Sequence, residues 1–111
     1  MTFTTEKIEP DIAVVRGEGK LNMVSAPELR TLVLRVIEEG ENRVVVDLSG
    51  IEFMDSSGLG ALVGCLKSAR QAGGDLRIAA VQPQVNMVLK LTSMDKVLTA
   101  YATADEAFGN D

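Results

Sequence analysis

The chain has 111 residues, 46% apolar and 24% charged, a composition that suits one compact domain and argues against extensive disorder. Sixteen acidic against 11 basic residues give a formal net charge of −5, and without a long Lys/Arg run this disfavours a nucleic-acid-binding face. The absence of histidine removes Ser-His-Asp and Cys-His catalysis and every imidazole zinc site, and a lone Cys65 excludes an internal disulfide. The opening MTFTTEKIEP lacks the basic region and apolar run of a signal peptide, and charges or turn residues interrupt every apolar run before it reaches membrane-span length. The expectation is a soluble, cytoplasmic domain that binds neither membrane nor nucleic acid.

Two β-branched runs, residues 2–8 and 12–16, are separated by Pro10-Asp11 and predict a hairpin. Residues 19–22 predict a loop. Ser25-Ala26-Pro27-Glu28 is a capping box with proline in the first turn, and Leu29, Leu32, Val33, Val36 and Ile37 follow at helical spacing until Gly40 stops the helix. Glu28, Glu38 and Glu39 occupy its polar side. The apolar run 43–48 predicts a covered strand. Ser49-Gly50 and residues 51–54 lead into Asp55-Ser56-Ser57-Gly58, and a second helix is expected from about 57 to 70, closed by Gly73-Gly74. Leu59, Leu62, Val63 and Leu66 form its inward stripe. Residues 76–81 predict another strand. Pro83 opens a third helix with Val85, Val88, Leu89 and Thr92 on one face. A short strand over 97–101 and a terminal helical turn over 103–108 complete the chain. The order β-β-α-β-α-β-α-β-α implies a single α/β domain over residues 1–111, its sheet mostly parallel after the first hairpin, with no repeat and no linker.

The segment 55–60, DSSGLG, places Ser56 or Ser57 near a helix N-terminus, where free N–H groups attract an oxygen or an anion. One reading is an N-cap, for which Asp and Ser are preferred. The other is a regulatory phosphoserine, whose added charge of roughly −1.5 to −2 a positive helix end tolerates. Ser57, Gly60, Ala61, Gly64 and Ser68 form a stripe of small residues. Each interior glycine costs about 1 kcal/mol relative to alanine, so an offsetting gain is required. Close packing on the domain's own sheet and an open face for a partner both supply one. The 22–25 segment carries turn and cap residues. Cys65 reads as a small hydrophobe, and Asp47, Glu52 and Asp55 as solvated carboxylates rather than a metal site. Lys67 and Arg70 suit the end of the second helix. Met23 and Met54 are candidate partner contacts. No catalytic or cofactor-binding set is apparent.

From the GxLN-type loop Gly19-Lys20-Leu21-Asn22 and the following SAPEL, through VVVDLSGIEFMDSSGLGAL at 44–62, the Gly73-Gly74 turn and the late 83–94 helix, the chain resembles the STAS family, specifically the bacterial anti-sigma factor antagonists. The resemblance spans nearly the whole chain. It implies a small α/β domain with helices largely on one face of a mixed sheet, and no catalysis. It implies binding to an anti-sigma factor that is also a serine kinase, release when the serine after the motif aspartate is phosphorylated, and resetting by a metal-dependent serine phosphatase. By position the phosphoacceptor is Ser56. Asp55, Ser57, Gly58, Leu59, Gly60, Ala61 and Gly64 then shape the partner site, joined by the loop Leu21, Asn22, Met23, Val24 and Ser25. Many relatives carry aspartate where this chain has Asn22. Three function classes compete: a phosphorylation-gated antagonist; a scaffold or accessory subunit of a signalling or lipid-transport assembly, with Ser56 as a mere cap; and an enzyme using Ser56 as nucleophile, for which neither base nor glycine loop is present. The free protein is expected to be a monomer or weak homodimer, because the hairpin leaves a strand edge open.

Overall fold

β-Branched residues in the amino-terminal runs favour extended backbone, and the computed structural model, which describes residues 2–109, forms the expected hairpin from β1 (Phe3–Glu9) and β2 (Ile12–Gly17). β2 then pairs in parallel with β4 (Arg43–Asp47), β4 with β6 (Asp75–Ala79), and β6 with β7 (Ala100–Tyr101), giving the sheet order β1-β2-β4-β6-β7. The three helices are α1 (Ala26–Glu38), α2 (Ser56–Gln71) and α3 (Pro83–Leu91).

The continuous apolar run in β4 is explained by burial on both sides. Val44 and Val46 join Ala13, Val15, Leu76 and Ile78 beneath the three helices. Val45 points the other way, into a smaller cluster with Ile12, Val14 and Ala79. A 3₁₀ turn at Ala104–Glu106 carries the lid of that cluster, Ala104, Ala107 and Phe108. The Phe108 ring lies 4.7 Å from the Arg43 guanidinium carbon and 4.2 Å from that of Arg77. The helices thus occupy largely one face, as expected.

Several boundaries depart from the sequence reading. Residues 19–21 are not loop but a strand, β3 (Gly19–Leu21), which pairs in parallel with β5 (Ile51–Met54) as a separate two-stranded sheet. Segments of three and four residues are too short to reveal a period, and their pairing is non-local. The strand order therefore gains two members over the expected β-β-α-β-α-β-α-β-α. The capping box is also absent. Ser25 has helical backbone angles and makes no side-chain cap; its hydroxyl donates to the Lys20 carbonyl at 2.8 Å and accepts from the Asn22 N–H at 3.0 Å. Gly40, at φ +104°, ends α1 as anticipated. The strand expected over 97–101 contracts to two residues, because a 3₁₀ turn at Met94–Lys96 follows α3 and buries Leu98 instead. Thr92, expected on the inward face of α3, is exposed.

Candidate functional site

Leaving β5, the chain must turn before α2 can begin, and the first N–H groups of a helix need an acceptor. Asp55 supplies it. With extended backbone (φ −105°, ψ −174°) it is the N-cap, and its Oδ1 accepts from the Gly58 N–H at 3.0 Å. Ser56 therefore begins the helix proper. It is exposed, and among the described residues its hydroxyl has no hydrogen-bond partner. Ser57 is half-buried and likewise unengaged. Of the two readings of DSSG, the cap belongs to Asp55 and not to either serine.

Gly58 fixes how closely this turn approaches the amino-terminal loop. A Cβ on Gly58 would lie 2.3 Å from the Leu21 carbonyl oxygen, so no other residue fits without moving backbone. The same carbonyl accepts from the Asp55 N–H at 3.2 Å, and Leu21 stands opposite Met54 in the β3–β5 ladder. Beyond Leu21 the chain folds into an Asx turn. Asn22 Oδ1 accepts from Val24 N–H at 3.0 Å and from Ser25 N–H at 3.3 Å. A carboxylate oxygen would serve the same turn, so Asn22 keeps the geometry that an aspartate provides and omits its charge. The turn displays two apolar side chains to solvent, Met23 at 72% exposure and Val24 at 78%.

The residues anticipated at the partner site divide accordingly. Ser56, Met23, Val24, Gly60 and Gly64 are exposed, and Asn22, Asp55 and Ser57 are partly so. Leu21, Ser25, Gly58, Leu59 and Ala61 are buried. The small-residue stripe is thus not one outward face: Ala61 is in the core, and Ser68 is half-buried. The buried face of α2 is made by Leu59, Ala61, Leu62, Cys65, Leu66 and Ala69, while Val63, expected inward, is only half-buried. Gly64 faces open space, and a Cβ on Gly60 would meet only the Arg30 guanidinium, at 3.7 Å. Cys65 lies beneath this face, and burial pushes its thiol up to about 11, with Arg30 pulling weakly the other way. Met54 is in the core, and so is not a surface contact.

The sequence reading passed over Gln82 and Gln84, whose side chains reach from the start of α3 to Ser49 in the turn before β5 and to Met54 at its end. Nothing in the pattern distinguishes them from ordinary helix-start residues; only the fold brings them to β5.

Ser56 at the helix start, Met23 and Val24 in the Asx turn, and Gly60 and Gly64 on α2 are the exposed members of this set. The chain belongs to the STAS domain family, which matches residues 4–107. It is 31% identical over 88 residues to the anti-sigma-B factor antagonist of Staphylococcus epidermidis, covering 79% of this chain and 82% of that one. Among solved structures it is similar to TM1081 of Thermotoga maritima, with 30% identity, TM-score 0.86, and coverage of 96% of this chain and 92% of that one. The unphosphorylated form of the anti-sigma factor antagonist SpoIIAA shares the fold at 23% identity and TM-score 0.81, over 96% of this chain and 92% of that one. No helix among the described residues is long and apolar enough to cross a membrane.

Proposed function

We propose that this chain is an anti-sigma factor antagonist, which docks an anti-sigma factor serine kinase through its 21–25 loop and the outer face of α2 and is switched off by phosphorylation of Ser56. The observation that carries the reading is the division of labour at the turn. Asp55 satisfies the helix start, so the Ser56 hydroxyl is exposed and uncommitted. The cap role that the scaffold reading gave to Ser56 is held by Asp55. The surroundings also suit a gated interface. Met23 and Val24 offer apolar contact, and Gly60 and Gly64 let a partner approach the α2 backbone. A phosphate of nearly two negative charges, set among small and apolar groups, opposes a desolvated contact. The net charge of −5 favours a partner with basic residues at that contact. A metal-dependent serine phosphatase would reset the switch, and the antagonist itself would need no cofactor.

The test is reconstitution with a candidate anti-sigma kinase and ATP. Ser56→Ala is expected to bind as the wild type does and to stay bound when ATP is supplied. Ser56→Asp is expected to lose affinity at least tenfold, and intact-mass analysis of the wild-type chain should find one phosphate, on Ser56. Equal binding by both variants would sink the gating mechanism.

A further inference from the structure

We infer that Gln84 is a positioning residue for the Ser56 turn, acting through the backbone of Met54; its bearing on phosphorylation rests on the function proposed above. Among the described residues, β5 has a strand partner on one edge only. Asp55 faces that edge, its N–H donating to the Leu21 carbonyl at 3.2 Å. Met54 faces the opposite way, where none of the described strands lies. There its N–H donates to Gln84 Oε1 at 2.9 Å, and its carbonyl accepts from Gln84 Nε2 at 3.2 Å. A single side-chain amide therefore provides both the acceptor and the donor that a neighbouring strand would offer.

Met54 is 1% exposed, so water is poorly placed to replace either bond. Gln82 holds the turn that leads into β5, its amide donating to the Ser49 carbonyl. Pro83, at the start of α3, separates the two glutamines and restricts the backbone between them. Gln82-Pro83-Gln84 thus holds both the turn before β5 and the last residue of the strand, and the proposed acceptor serine lies two residues beyond the Gln84 contact. Asp55 sets the cap, Gly58 sets the distance to Leu21, and Gln84 holds the strand end from which both depart.

The chemistry distinguishes a positioning role from simple packing. Gln84→Ala removes both bonds. Gln84→Glu keeps an acceptor for the Met54 N–H but loses the donor to its carbonyl, at nearly constant volume. Amide hydrogen exchange and backbone NMR spectra of the full chain read the consequence directly. Gln84→Ala should speed exchange at Met54 at least tenfold and shift the Ser56 and Ser57 amide resonances, with Val15 and Val45 in the central strands unchanged. Gln84→Glu should give smaller changes at the same positions, and it preserves the test if the alanine variant does not fold. With a kinase that phosphorylates the wild-type chain, Gln84→Ala should lower kcat at least threefold while leaving KM within twofold. Wild-type exchange at Met54 together with wild-type Ser56 and Ser57 resonances would overturn the proposal, as would acceleration spread equally to Val15 and Val45. A wild-type chain that no anti-sigma kinase modifies would defeat the phosphorylation reading instead, and the exchange data would still decide the role of Gln84.

Discussion

Aspartate and serine rank almost equally as helix caps, yet at the start of α2 the side-chain bond to the Gly58 N–H comes from Asp55, while the Ser56 hydroxyl has no partner among the described residues. Their order along the chain produces this result: the residue that is still extended caps, and the next one is already helical. Two positions further on, Gly58 leaves no room for a side chain against Leu21. Cys65 represents the opposite extreme, a titratable group removed from solvent. Its thiol is held in the neutral form up to about 11, against an ordinary value of 9.0. In the unfolded chain the thiol ionises first, so its contribution to stability is complete below pH 9 and is lost as pH rises towards 11. That gap corresponds to roughly 3 kcal/mol. Urea unfolding of the wild type should weaken over this interval, and Cys65→Ala should show a flatter profile there. A thiol-reactive chromophore at pH 8 should label the unfolded chain readily and the native chain slowly.

α2 carries two glycines whose loss the fold itself would not resent. Around Gly64 there is open space, and at Gly60 a methyl group would make an ordinary contact with Arg30. Alanine at each position should therefore stabilise the helix by about 0.5–1 kcal/mol. The double variant Gly60→Ala/Gly64→Ala should raise Tm by about 4 °C or more, and calorimetry would show it. On the function proposed above, its affinity for an anti-sigma partner should fall, because two methyl groups then stand on the proposed docking face. Unchanged affinity would separate the glycines from binding. Of the two offsets that sequence alone left open for this stripe, packing on the sheet holds for Ala61, whose side chain is fully buried, and does not hold for Gly60 or Gly64.

The same comparison shows what was legible beforehand. α1 and α2 could be read because their apolar residues repeat over several turns, and β4 because an unbroken valine run needs cover on both sides. β3 and β5 could not, since they are short and defined by each other across thirty residues of chain. Ser25 looked like a cap by its local spacing, but the Lys20 carbonyl competes for its hydroxyl. The turn from Asp55 to Gly58 is legible as a motif, whereas Gln84 enters only with the tertiary structure.

For the molecule as a whole, the sheet divides two cores of unequal size. The large one lies under the helices; the small one depends on the carboxyl-terminal turn and on Phe108 between Arg43 and Arg77. Phe108→Ala should cost about 3 kcal/mol, seen as a lower urea midpoint and binding of a hydrophobic dye. Because Phe108 lies on the opposite face of the sheet from the helices, partner affinity at low temperature should remain that of the wild type. Loss of binding without loss of stability would contradict the separation of the two faces.

The contact of Gly58 with the Leu21 carbonyl has a consequence for exchanging specificity between paralogues. The 21–25 loop and the 55–60 turn are distant in sequence but share one backbone seam, joined by the Asp55 N–H and with no clearance for a methyl group. A chimaera that imports either segment alone must reproduce this backbone approach, glycine at position 58 included, however well its surface residues are chosen. Transplanted partner preference should therefore require both segments from the same donor, and the loop and the turn should behave as one heritable unit despite the thirty residues between them.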